Sequence, residues 1–148
     1  MDLKLRLQND IKAAMRSGDK LGLITLRMLS AAIKQREIDE RIVLDDAQIL
    51  AVVEKLIKQR REAAAQYEAG HRPDLAAKES AEIALLQAYL PEPLSEAELD
   101  ALIEAALAET GAASIKDMGR IMAALKPAIQ GRADMAIVSA RVKGRLGA

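Results

Sequence analysis

Apolar residues in this chain of 148 residues recur every third or fourth position and nowhere alternate, which commits the backbone to helices. Leu3, Leu7, Ile11 and Ala14 with Met15 begin the pattern, and Gly18 breaks it before Asp19, a residue type suited to cap the next helix. That second helix carries Leu23, Leu26, Leu29, Ala32 and Ile33 and runs to about Arg41. Asp45 or Asp46 opens a third, with Ile49, Val52, Val53, Leu56 and Ile57, expected to stop at Gly70 by the preference for glycine just past a helix end. A fourth follows Pro73 with Leu75, Ile83, Leu86 and Tyr89. There is no Phe and no Trp, so Ala, Leu and Met, which lose little side-chain freedom in a helix, supply much of the apolar bulk. Asn-Gly hairpin turns and β-branched runs are absent.

Pro91 and Pro93 reset the chain, because proline lacks an amide hydrogen and drives the preceding residue out of the helical region. Ser95 and Glu98 then form the pattern of a capping box. The helix they open is expected to end near Gly111, and Ser114-Ile115-Lys116-Asp117 opens another. Pro127 and Gly131 are expected to bring the chain round, and Asp134 to cap a last helix with Ile137, Val138, Arg141 and Val142. The expected architecture is all-α. Residues 1–92 form an N-terminal four-helix unit, and residues 93–148 a small three-helix tail.

Lys plus Arg equals Asp plus Glu at 22 each, so any affinity for a polyanion must be local. Cysteine is absent, which excludes disulfides, thiolate nucleophiles and cysteine-ligated metals. The first residues lack a hydrophobic signal core, and no apolar run approaches the ~18–20 residues of a membrane span. A soluble cytoplasmic protein without membrane or DNA partners is the simplest expectation.

Charge is nevertheless uneven. Between Ser95 and Thr110 stand the acids Glu96, Glu98, Asp100, Glu104 and Glu109 and no base. From Lys116 onward stand Lys116, Arg120, Lys126, Arg132, Arg141, Lys143 and Arg145 against Asp117 and Asp134. Such a run can contact phosphates with release of counterions; bases near helix C-termini and a solvated face would read the same way. Gly119 inside a helical pattern costs about 1 kcal/mol relative to alanine. Close helix packing through Gly119 and Ala123 explains it, as does approach of an RNA backbone. Gly131 is expected to supply a positive φ in the last turn, and Met118 and Met122 to face the core.

In the N-terminal half, Lys55, Lys58, Arg60 and Arg61 interleave with Glu54 and Glu62, the pattern of a solvated, salt-bridged face. Glu79 and Glu82 read as a helix surface in the same way. Two tyrosines cannot build a base-stacking platform. His71 has no second histidine or cysteine with which to hold a metal. Phosphate loop, nucleophile elbow and Ser-Lys pair are all absent, so no catalytic residue, cofactor or metal is expected.

Three stretches carry a family resemblance: Leu26-Arg27-Met28-Leu29 with Ala32 through Asp39, Tyr89 through Ser95, and Ser114 through Met122 with Lys126 through Asp134. In that order they resemble the YqeY-like proteins, whose tail domain is similar to that of the B subunit of the tRNA-dependent amidotransferase. The resemblance implies tRNA contact by the seven bases named above, with Gly119 and Gly131 shaping the surface. It also implies a link to carbon–nitrogen ligation with glutamine as amide donor, and amidotransferase or aminoacyl-tRNA synthetase components as partners. The amidotransferase subunit has a large catalytic domain upstream of its tail; here a helical unit stands in that place, so the chain itself is expected to be a non-catalytic tRNA-interacting accessory protein. The alternative is a helical protein–protein interaction module without RNA binding.

Overall fold

The computed structural model describes residues 2–147, and among them every regular element is helical. The order is α1 (Leu3–Ser17), α2 (Lys20–Glu40), α3 (Asp46–Ala69), α4 (Pro73–Gln87), α5 (Glu96–Thr110), a 3₁₀ turn (Ile115–Asp117), α6 (Met118–Ile129) and α7 (Met135–Arg145). Contacts divide the chain into two compact units, Met1–Leu90 and Pro91–Ala148.

Short polar side chains satisfy the amide hydrogens left over at helix starts. Asp2, Asp19 and Asp134 cap α1, α2 and α7. Of the two candidates at α3 it is Asp45 that caps, accepting from the Gln48 amide at 2.8 Å while Gln48 accepts from the Asp45 amide at 2.9 Å. Asp46 instead accepts the Leu3 amide at 3.0 Å. Ser95 and Glu98 form the expected reciprocal box at the start of α5.

The N-terminal unit closes over Leu3, Leu7, Leu26, Leu29, Ile33, Ile49, Val53, Ile57 and Leu86. The tail closes over Leu99, Ile103, Ile121, Leu125, Ile129, Val138 and Val142. Full burial of each such side chain is worth roughly 1.5–3 kcal/mol, so each unit has an apolar core of its own.

α3 stops at Gly70 as expected, although Gly70 has an ordinary φ of −87° and the left-handed residue is the next one, His71, at φ +58°. Three local expectations are corrected. Tyr89 lies beyond the end of α4, in the turn that follows Gln87. Pro127 sits inside α6, which continues to Ile129, so the chain turns only at Gln130 and Gly131. Gly119 packs against nothing: it is exposed, and a β-carbon built there meets no atom within 4 Å. Gly131 does take the positive φ, +74°.

Candidate nucleic-acid interface

The acids of α5 and the bases of α7 share a four-residue spacing, which places each set along one edge of its helix. Glu96, Asp100 and Glu104 thereby meet Arg141 and Arg145. Arg141 donates to Asp100 at 2.6 Å and lies 3.3 Å from Glu96, while Arg145 is bonded to Glu104. The hydrogen bond from Arg145 holds the Glu104 carboxyl below its usual range and raises the guanidinium in turn.

Arg120 is held just as locally. It donates to Asp117 at 2.7 Å and to the Thr110 carbonyl at 3.3 Å. Asp117 is pulled down first by the Ala113 amide and then by Arg120. Arg132 donates to the Glu92 carbonyl at 2.8 Å and lies 4.0 Å from Glu98, whose carboxyl is lowered chiefly by the backbone and hydroxyl of Ser95. Four of the seven expected phosphate contacts are thus already engaged within the tail, and the locally positive count is offset by acids folded against it.

The other three differ. Lys116, Lys126 and Lys143 are exposed and form no salt bridge among the described residues. Gly119, Ala123 and Lys126 follow one another at helical spacing on the open side of α6, and all three are exposed. The result is a smooth strip with a cation beside it. Met118 and Met122, on the flank of α6 between this strip and the buried residues, are half-buried against the tail core as expected.

In the N-terminal unit one expectation is overturned. Arg60 is not on a solvated face but buried at 6% exposure, and so is Glu82 at 6%. They pair at 2.9 Å, with Arg60 also donating to the Leu56 carbonyl at 3.3 Å and reaching the Met28 sulfur at 3.5 Å. The signal was present in the sequence: Val53, Ile57 and Arg60 share a helical stripe, as do Glu82 and Leu86. Mixed charge along the surrounding segment masked it. Tyr89 is likewise buried, bonded through its hydroxyl to Asp10 and covered by the Arg6 guanidinium 4.4 Å from the ring centre. Burial, then Asp10, push its phenol well above the ordinary value of 10.0. Among the described residues no group of three or more His, Asp or Glu side chains is placed to hold a metal ion.

An all-helical chain with this tail and this order of motifs defines a class, and comparison identifies it. The Yqey-like protein family matches residues 4–146, and the chain belongs to that family. A relative in Pyrenophora tritici-repentis, named Altered inheritance of mitochondria protein 41, mitochondrial, is 33% identical over 97% of this chain and 80% of its own length. Relatives of the same name in Vanderwaltozyma polyspora and Lachancea thermotolerans are 38% and 36% identical, over 58% and 74% of this chain. The match covers only 47% and 60% of those two proteins. The expectation of a cytoplasmic protein is corrected by these names, which point to mitochondria instead. Lack of a hydrophobic signal core bears on secretion alone, since mitochondrial targeting relies on amphipathic, Arg-rich segments that hydropathy does not register.

Proposed function

We propose that this chain is a non-catalytic accessory protein that contacts tRNA through its tail and is linked to tRNA-dependent amidation, with any carbon–nitrogen ligase chemistry supplied by amidotransferase or synthetase partners. The observation that carries the reading is the open side of α6, where Gly119 and Ala123 leave room for close approach and Lys126 has no salt bridge among the described residues. The resemblance to the amidotransferase tail supports the same surface. The phosphate-contacting set is reduced to Lys116, Lys126 and Lys143, with Arg120, Arg132, Arg141 and Arg145 serving mainly to hold the tail together.

Binding of unmodified tRNA to the full chain tests this. Lys116→Ala and Lys126→Ala should each weaken all tRNAs alike and lower the slope of log affinity against log salt by about 1. Arg141→Ala should change the slope less. No detectable binding of the wild-type chain at ~50 mM salt sinks the reading.

The second reading, a protein–protein interaction module without RNA binding, is favoured by one observation: the tail's arginines are spent on its own acids. Capture of a defined protein partner that persists after nuclease treatment, by a chain that binds no tRNA, decides for it.

A further inference from the structure

The outward side of α2 carries a heptad pattern that its unit leaves largely open, with Leu21 half-buried and the Met28 sulfur touched by Arg60 at 3.5 Å. Leu21, Ile24, Met28, Ala31, Gln35 and Ile38 alternate three and four residues apart, the spacing of a coiled-coil seam. Ile24 is 54% exposed, Met28 41% and Ile38 71%, and Ala31 and Gln35 are exposed as well. Large side chains on a solvent-facing helix side lose the burial that would offset their hydration. Along one edge of this seam, every seventh residue is a base: Lys20, Arg27 and Lys34. None of them forms a salt bridge among the described residues; Arg27 reaches only the Met15 sulfur, at 4.0 Å. On its other edge the seam opens into a groove of about 600 Å³ between α2 and α3, with Ala32, Val52 and Leu56 in its lining.

We propose that this seam docks an amphipathic helix of another protein, about three heptads long, apolar at its inward positions and acidic along the flank that meets Lys20, Arg27 and Lys34. Charge selects that occupant. A second copy packed antiparallel sets like edge against like edge, so the basic row meets itself. Packed parallel, the row meets Thr25, Ala32 and Asp39, of which Thr25 is fully buried and only Asp39 is charged. An anionic membrane fits poorly, because the bases lie on one flank while Asp39 and Glu40 lie towards the other, and Ala31 with Gln35 interrupts the bulky row. RNA has no use for Ile24, Met28 and Ile38. This surface is independent of whether the tail meets tRNA.

The test uses the full chain and a labelled three-heptad synthetic peptide with Leu at both inward positions and Glu on both flanks, followed by fluorescence anisotropy. Its twin carries Lys in place of Glu. The Glu peptide should bind saturably and at least about tenfold more tightly than the Lys twin, a specificity set by interfacial charge. The double variants Arg27→Glu with Lys34→Glu, and Ile24→Ser with Ile38→Ser, should each weaken it by about tenfold or more. All four positions are exposed, so far-UV circular dichroism should be unchanged.

Equal binding of both peptides overturns the proposal, as does full retention of binding by the Ile24/Ile38 variant. A dimer in sedimentation that this variant dissociates assigns the seam to a second copy instead. Loss of tRNA or of anionic phosphatidylglycerol vesicles by the Arg27/Lys34 variant, with no binding of the Glu peptide, assigns it to RNA or to a membrane.

Discussion

The two units of this chain use their positive charge in opposite ways. The tail keeps its arginines exposed or half-buried at its surface yet pairs each with an acid or a carbonyl close at hand, so a segment that counts as basic in the sequence is nearly balanced in space. The N-terminal unit reads as evenly mixed, yet it buries one arginine with its glutamate and leaves a row of bases along α2 with no salt bridge among the described residues. Net charge of a segment therefore says little about which charges a partner can reach. What decides is the spacing of the opposite sign on the helix packed alongside.

The sharpest contrast is between the buried pair and the exposed ladder. Glu82→Ala leaves the Arg60 guanidinium uncompensated in the core and should destabilise the N-terminal unit by about 3–5 kcal/mol in chemical denaturation. The double change Arg60→Met with Glu82→Leu should restore most of that loss, because apolar replacements remove both desolvation penalties. If Glu82→Ala leaves the midpoint of unfolding unmoved, the pair is not buried in solution and the contrast collapses.

Independence of the two cores is the next expectation. Residues 1–92 and 93–148, expressed separately, should each keep helical circular dichroism, since each cluster of buried side chains lies within one unit. The tail fragment is the more demanding case, because a domain of some 60 residues buries only about 60% of its unfolded surface. A tail that is a random coil when alone would mean that its charge ladder, however complete, does not hold it together.

How much of this was legible beforehand follows from what sequence periodicity can see. Helix starts were readable at Asp19, Ser95 and Asp134 because capping is a local exchange of one side chain for one amide. The family was readable because its motifs are separated and ordered. Pro127 misled because a residue that disrupts helix interiors does not by itself demand a turn. Pro127 needs only that one amide donor near the end of α6 be dispensable. Arg60 and the paired tail arginines were missed because ion pairing joins positions far apart in the chain: 22 residues for Arg60 and Glu82, 41 for Arg141 and Asp100. No window of a single helix contains that information. The outward seam of α2 was hidden differently: the core row Leu26, Leu29 and Ile33 already accounts for the helix, and periodicity gives no sign that a second apolar row, Ile24, Met28 and Ile38, stays exposed.

pH should separate the units, beginning at the alkaline end. The folded-state pKa of Tyr89 is raised, so the stability it contributes is fully present below the ordinary phenol value of 10.0 and is lost as pH rises above it. The N-terminal unit should weaken above pH 10, and Tyr89→Phe should flatten that limb. Lysines titrate in the same range, so the informative quantity is the difference between wild type and variant. A variant with the same alkaline slope as wild type would remove Tyr89 from the account.

The smallest effects belong to the tail, and they run the other way. Glu98, Glu104 and Asp117 have lowered folded-state values, so their contributions are present above the ordinary 4.5 of the glutamates and 3.8 of the aspartate and are lost as pH falls below them. All three side chains are solvent-accessible and their pairs are screened by salt, so the loss of stability in this window should be slight. The more telling readout is charge rather than stability. Replacing Glu96, Asp100 and Glu104 together by their amides removes the acids that engage Arg141 and Arg145 without altering side-chain size. If pairing is what keeps these arginines from a polyanion, that triple variant should bind tRNA with a steeper salt dependence than wild type, while its thermal midpoint moves little. Should the slope stay where it was, the arginines were reachable all along and the tail's balance of charge is not what limits its affinity.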